Sequence, residues 1–187
     1  MQIGLIFSTT EGQTRKIIQF AFDQLARSGH SVAMIEAKDA EAIDLSTFDA
    51  VIMAASVHVG QFQKEMTAFA TAQSKVLNAI PTLFLSVSLA AAGDDAKDWE
   101  ELGHIVDRFA KETGFSPKRV EHVAGAFKFT DYDFFKYWAM RWIESKKDPQ
   151  GEAGTDREYT DWNALEAILK DWTNQVSDVR QDGAKPV

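Results

Sequence analysis

QIGLIFSTTEGQT spans residues 2–14, and its two halves obey different rules. Ile3, Leu5, Ile6 and Phe7 form a short apolar run around Gly4, the pattern of a strand buried on both faces. Ser8, Thr9 and Thr10 end that run, and Glu11, Gly12, Gln13 and Thr14 follow. A helical pattern then starts, with Ile17, Ile18, Phe20, Ala21, Phe22 and Leu25 on an apolar face. A strand, a hydroxyl-rich turn and a helix in this order make an anion cradle. The first N–H groups of a helix have no partner within it, and the helix dipole favours negative charge there. Hydroxyls of Ser8, Thr9, Thr10 and Thr14 add donors. The same residues also suit a plain helix N-cap, and the loop alone leaves the two readings open.

Two commoner nucleotide loops are absent. There is no G-x-G-x-x-G, so the dinucleotide fingerprint is missing. There is no G-x-x-x-x-G-K-[ST] either. A hydroxyl-lined loop with one glycine suits a single terminal monophosphate.

Outward from this loop, the chain alternates. After Ser28-Gly29-His30, a second strand holds Val32, Met34 and Ile35, and residues 44–49 read as polar linker. Ala50 to Ser56 is a third buried strand, leading into Val57-His58-Val59-Gly60-Gln61. A helix with Phe62, Met66, Phe69 and Ala70 on one face follows. Pro81 opens the fourth strand, Thr82 to Val87, which continues into Ser88-Leu89-Ala90-Ala91. The next helix carries Trp99, Leu102, Ile105, Val106 and Phe109 and stops at Gly114. The fifth strand is expected over residues 120–129, and the last helix starts at Thr160-Asp161-Trp162 with Leu165, Ile168, Leu169 and Trp172. Alternating strands and helices predict an α/β fold with a parallel, doubly wound sheet of strand order 2-1-3-4-5. Residues 1–178 read as one domain and residues 179–187 as a disordered tail.

Sheets of this kind hold ligands beyond the carboxyl ends of their strands. Thr9 to Thr14 are placed there to hold phosphate. Ser56 to Gln61 and Ser86 to Ala92 are placed to flank a flat ring, where small residues let the backbone come close.

Bulk composition narrows the function. The chain has 187 residues, 45% of them hydrophobic, enough for one full core. Its net charge of −8 argues against nucleic acid, which calls for a basic surface. The absence of cysteine excludes disulfides, thiolate metal sites and cysteine nucleophiles. His30, His104 and His122 show no ligand spacing, so no metal is expected. No secretory signal or membrane span is visible, so a cytoplasmic protein is expected.

Residues 130–158 interrupt the alternation before the last helix. Tyr132, Phe134, Phe135, Tyr137, Trp138, Met140, Trp142 and Ile143 are interleaved with Lys136 and Arg141 and flanked by Lys128, Lys146 and Lys147. Tryptophan beside cations suits a helix at a membrane interface, and peripheral contact through residues 130–147 is one expectation. A helix packed on the sheet or a subunit interface, hence a homodimer, fits the same residues. Residues 147–155 read as a loop rich in Gly, Pro and polar residues.

Taken in order, these motifs resemble the flavodoxin-like proteins, and within them the menaquinone-dependent protoporphyrinogen oxidases of bacteria. The resemblance rests on Phe7-Ser8-Thr9 with Glu11 to Arg15, Ala55-Ser56 with Gly60, Ser86-Val87 with Leu89, Ala124-Gly125-Ala126, and Tyr159-Thr160-Asp161-Trp162. It covers nearly the whole chain. It implies a flavodoxin-like three-layer sandwich with a long insert near the fifth strand, and noncovalent FMN. The implied cofactor residues are Ser8, Thr9, Thr10, Glu11, Gly12, Gln13 and Thr14 for the phosphate. Ser56, Val57, His58, Val59 and Gly60, with Ser86, Val87, Ser88, Leu89 and Ala90, are implied around the ring. It also implies a porphyrinogen substrate of heme biosynthesis and a membrane quinone as acceptor, with the protein peripheral on the cytoplasmic face of the membrane. His58 is the candidate for moving a proton, since histidine titrates near neutrality. One departure is the run Ala90-Ala91-Ala92-Gly93-Asp94-Asp95, where the oxidases are more basic. The alternative function is a flavodoxin-type electron carrier with no substrate of its own. The aromatic insert favours the oxidase, and the acidic charge favours the carrier. A response-regulator-like switch needs acidic residues where Ser8 and Ser56 stand.

Overall fold

The computed structural model describes residues 1–10, 12–40, 43–127 and 157–183. Five strands form one parallel sheet: β1 (Gln2–Ser8), β2 (Ser31–Glu36), β3 (Ala50–Ser56), β4 (Thr82–Ser88) and β5 (Arg119–Ala124). Their order is β2-β1-β3-β4-β5, as the alternation predicts. The register pairs Ile3 with Ala50 and Val32, and Val51 with Thr82. Helices α1 (Gln13–Arg27) and α4 (Trp162–Gly183) cover one face; α2 (Lys64–Ala79) and α3 (Ala96–Thr113) cover the other.

Each face has its own core because side chains alternate along a strand. Leu5, Phe7, Ile52, Leu83 and Leu85 pack with Ile17, Ile18, Leu165, Leu169 and Trp172. Ile6, Met53 and Phe84 pack with Phe62, Met66, Phe69 and Phe109 on the opposite side. There Phe84 and Phe109 stack with centroids 5.2 Å apart, and Phe62 meets both edge-on.

The helix ends follow local chemistry. Asp95 caps α3 by accepting the Lys97 N–H at 2.8 Å, and Gly114, at φ 69°, ends it in the left-handed region. Asp161 accepts the Ala164 N–H at 2.9 Å at the start of α4. No helix among the described residues is long and apolar enough to cross a membrane.

Three expectations change. The fifth strand is not continuous: β5 stops at Ala124, and Ala126–Phe127 (β6) pairs antiparallel with Arg157–Glu158 (β7) in a separate ribbon. Gly125 makes the transfer, its N–H donating to Ser88 O at 2.9 Å while its carbonyl accepts the Tyr159 N–H at 3.0 Å. The linker before β3 contains a short 3-10 turn over Leu45–Thr47 with Leu45 buried. The last helix runs past Val179 to Gly183, and its Arg180 forms an ion pair with Asp49. Glu11, the aromatic and basic residues over 128–156, and residues 184–187 lie outside the described residues.

Candidate functional site

β1 and β3 are neighbours, but the chain leaves them toward opposite faces, β1 into α1 and β3 into α2. That divergence opens a crevice at the carboxyl edge of the sheet. A cleft of about 670 Å³ lies there, bounded by the loops after β1, β3 and β4, by α3, and by Gly125 and Ala126. This size is within the range of small-molecule and cofactor sites.

The first wall is the N-terminus of α1. Its cap residue is Gly12, at φ 89°, and no side chain caps the helix. The plain N-cap reading of the hydroxyls therefore fails. The helical ladder begins with Lys16 N–H to Gly12 O at 3.1 Å, so the N–H groups of Gln13, Thr14 and Arg15 precede it. Thr9 Oγ1 accepts the Gly12 N–H at 3.0 Å, which folds the loop back on itself and leaves the Thr9 proton to donate elsewhere. Thr14 lines the cleft and is buried, yet its Oγ1 has no hydrogen-bond partner among the described residues. A buried hydroxyl without a partner costs about 1–3 kcal/mol and points to a bound acceptor.

Gln13 also lines the cleft, but its side chain is already engaged. Its Nε2 donates to Thr160 Oγ1 at 2.9 Å, and that hydroxyl donates to Ala124 O at 2.7 Å. The relay ties α1 to β5 and to the residues just before α4.

The second wall is the loop after β3. His58 N–H bonds Gln61 O at 2.8 Å, and Gln61 N–H bonds His58 O at 3.1 Å. The two central residues, Val59 at φ 49° and Gly60 at φ 71°, are both left-handed, as in a type I′ turn. Glycine tolerates this; a β-branched valine does not, so strain sits at the turn tip. Val59 is also 67% exposed, at the cleft mouth. Arg108 of α3 donates to Gly60 O at 3.1 Å and to Glu101 Oε1 at 3.0 Å, fixing the turn from the other side.

The third wall is the loop after β4, where Val87, Ser88, Leu89 and Ala90 line the cleft. Ser88 Oγ accepts the Ala91 N–H at 3.2 Å and shapes the 3-10 turn over Ala90–Ala92. Ser86 is buried and lies off the cleft lining. It pairs in register with His122 of β5, and Ser86 Oγ and His122 Nδ1 are both buried without partners among the described residues. Burial lowers the His122 pKa below the ordinary histidine range, against the opposing pull of Glu121. Ser8 and Gly12 also lie off the cleft lining; Gly12 faces an outer groove with Arg15, Phe20 and Trp162.

Thus Thr9, Thr10, Gln13, Thr14, Ser56 to Gly60 and Val87 to Ala90 meet at one cleft. The sequence reading misses α3, whose Asp98, Glu101, Leu102, Ile105 and Arg108 form the fourth wall. These positions recur at helical spacing, which was the available signal; Leu102 and Ile105 read only as core.

A family model described as Flavodoxin domain matches residues 4–153. The chain belongs to the flavodoxin domain family. It is 28% identical over 171 residues to the protoporphyrinogen IX dehydrogenase [quinone] of Leishmania major, covering 90% of this chain and 73% of that protein. It is 27% identical over 167 residues to the protein of the same name from Escherichia coli strain K12, covering 88% of this chain and 91% of the other. Among solved structures, the flavodoxin of Streptococcus pneumonia TIGR4 matches with a TM-score of 0.56 at 16% identity, covering 94% of this chain and 99% of that one. A short-chain flavodoxin associated with a bacterial microcompartment matches at 0.52 and 13% identity, with 94% and 99% covered. Membership of this family makes the chain an FMN-binding protein. The residues present fit that group: an uncapped helix start and a buried, unpartnered Thr14 hydroxyl on one wall, and close-set backbone on the others.

Proposed function

We propose that this flavodoxin-domain protein is an FMN-dependent oxidoreductase that oxidises a porphyrinogen, protoporphyrinogen IX in the first instance, and passes the electrons to a quinone. The observation that carries this reading is the reach of the similarity. It spans 88% of this chain and 91% of an E. coli protein named protoporphyrinogen IX dehydrogenase [quinone], well beyond the opening loop.

FMN, when bound, supplies acceptance of hydride equivalents from the substrate and their return to the quinone. The chain's residues bind and orient. Thr9, Thr10 and Thr14 hydroxyls and the first N–H groups of α1 hold the phosphate, which helix-start donors and the dipole favour. Backbone groups of Val57 to Gly60 and of Ser88 to Ala90 flank the ring. Leu102 and Ile105, both buried on α3, keep water from one side of the cleft. His58 lies exposed on the cleft lining, where it is placed to carry a proton between substrate and solvent. Residues 130–147 supply the contact with membrane or quinone that their composition suggests.

A second reading, the electron carrier without its own substrate, draws on the net charge of −8. One experiment separates them. The purified protein is given protoporphyrinogen without oxygen, and the visible spectrum is followed before and after a menaquinone analogue is added. The oxidase reading expects flavin bleaching by the substrate, porphyrin absorption, and recovery of flavin colour on adding quinone. A flavin that porphyrinogen leaves oxidised, but that accepts electrons from a reductase, supports the carrier.

A further inference from the structure

Gln63 sits just before α2, in the N-cap position, but does not cap that helix. Side chains that cap are short; this one is long and reaches elsewhere. Its Nε2 donates to Thr10 Oγ1 at 3.2 Å, in the loop after β1, and to Ser56 Oγ at the end of β3. Both hydroxyls belong to residues of the cleft lining, whereas Gln63 lies behind them. Its Oε1 is buried and has no partner among the described residues.

We infer that Gln63 is a positioning residue that sets the direction of the hydroxyls at the phosphate end of the cleft. The inference rests on the reading that the FMN phosphate occupies the loop after β1. A hydroxyl has one proton and two lone pairs. Once Thr10 and Ser56 each accept from the Gln63 amide, each keeps its proton to give. The open direction is the cleft, where an ionised phosphate only accepts. Gln63 thus turns two ambivalent hydroxyls into donors and ties the loop after β1 to the end of β3. Replacing the amide by a carboxylate reverses the arrangement. Glutamate accepts from Thr10 and Ser56, draws their protons away from the phosphate, and adds like charge behind them.

The test compares FMN and riboflavin binding to the full-length apoprotein by flavin fluorescence, in the wild type, Gln63→Leu and Gln63→Glu, with circular dichroism to confirm folding. Riboflavin carries the ring without the phosphate. Gln63→Leu is expected to weaken FMN about tenfold, in the range of one charge-assisted hydrogen bond, and to leave riboflavin within about twofold. Gln63→Glu is expected to weaken FMN further, again sparing riboflavin. Equal losses for both flavins in either variant, or Gln63→Glu binding FMN as well as Gln63→Leu does, would overturn the inference. If Gln63→Glu does not fold, the cycle of Gln63→Leu with Thr10→Val decides. A relay through Thr10 makes the two losses non-additive, and additive losses overturn it. Failure of the underlying reading looks different: the wild type itself would then bind riboflavin as tightly as FMN.

Discussion

At the scale of single residues, Thr14 and Val59 carry opposite messages. Thr14 Oγ1 is buried without a partner, so the hydroxyl is a burden to the free protein and an asset to the complex. Thr14→Val keeps the shape and removes the unsatisfied group. It should leave the apoprotein as stable or more so, and weaken FMN by about 1.5–3 kcal/mol. Thermal melts with and without FMN check both halves, because ligand stabilisation scales with affinity. Val59 is strained by backbone, not by a missing partner. A left-handed L-residue costs about 1–2 kcal/mol, and a glycine costs the unfolded chain about 0.5–1 kcal/mol in entropy. With 67% of Val59 exposed, little packing is lost, so Val59→Gly should stabilise the apoprotein by about 0.5–1 kcal/mol in urea melts. A lower urea midpoint in Val59→Gly would show that the valine side chain holds the turn. Thr14 was legible in the sequence because its hydroxyl follows a strand and opens a helix. Strain at Val59 was not, since a His-Val-Gly-Gln run does not reveal which residues turn left-handed. Arg108 was equally hidden: its partner, the Gly60 carbonyl, lies 48 positions away.

Between elements, polar contacts do the work that apolar pattern cannot announce. The strands were legible from β1 to β4 because buried parallel strands are continuous apolar runs with hydroxyls or glycine at their ends. β5 was overextended because Val123 to Phe127 stays apolar through Gly125, while the backbone there changes partners from β4 to the residues before α4. Similarly, nothing in Ser177 to Gly183 announces that α4 continues. Its continuation has a partner: Arg180 pairs with Asp49, which also accepts the Gln2 N–H at 2.7 Å. This links the end of the last helix to the start of β1. The Arg180 hydrogen bond, then the Gln2 N–H, lowers the Asp49 pKa below the ordinary aspartate range. A lowered folded pKa means that the link contributes fully above the unfolded value, about 3.9, and is lost as pH falls through the folded one. Asp49→Asn should therefore cost about 1 kcal/mol at pH 7, after allowance for screening at this half-exposed site. The gap between wild type and variant should close below about pH 4. Urea midpoints measured across that range test it, and a gap independent of pH would assign the cost to packing.

For the molecule as a whole, charge decides between the two functional readings. The net charge is −8, and the described part of the cleft lining carries Asp98 and Glu101 against Arg108 alone. Arg108 is turned to Glu101 and Gly60, so it offers little to an incoming anion. A porphyrinogen bears propionates and must approach against this field, whereas a basic redox partner is drawn along it. The two readings thus predict opposite responses to salt. As the Debye length shrinks from about 30 Å at 0.01 M to about 8 Å at 0.15 M, kcat/KM for porphyrinogen should rise, and electron transfer from a basic reductase should fall. The aspartates at 94 and 95 first suggest themselves for a charge test, but Asp95 caps α3, and replacing it confounds charge with helix stability. Asp98 lines the cleft and makes no cap, so Asp98→Asn is the cleaner change. It should raise porphyrinogen kcat/KM at low salt by about twofold to fivefold, the effect of removing one partly exposed charge of about 0.5–1 kcal/mol, and do nothing at high salt. Stopped-flow rates over a series of ionic strengths supply the readout. A substrate rate indifferent both to salt and to Asp98→Asn would mean that the porphyrinogen enters away from α3.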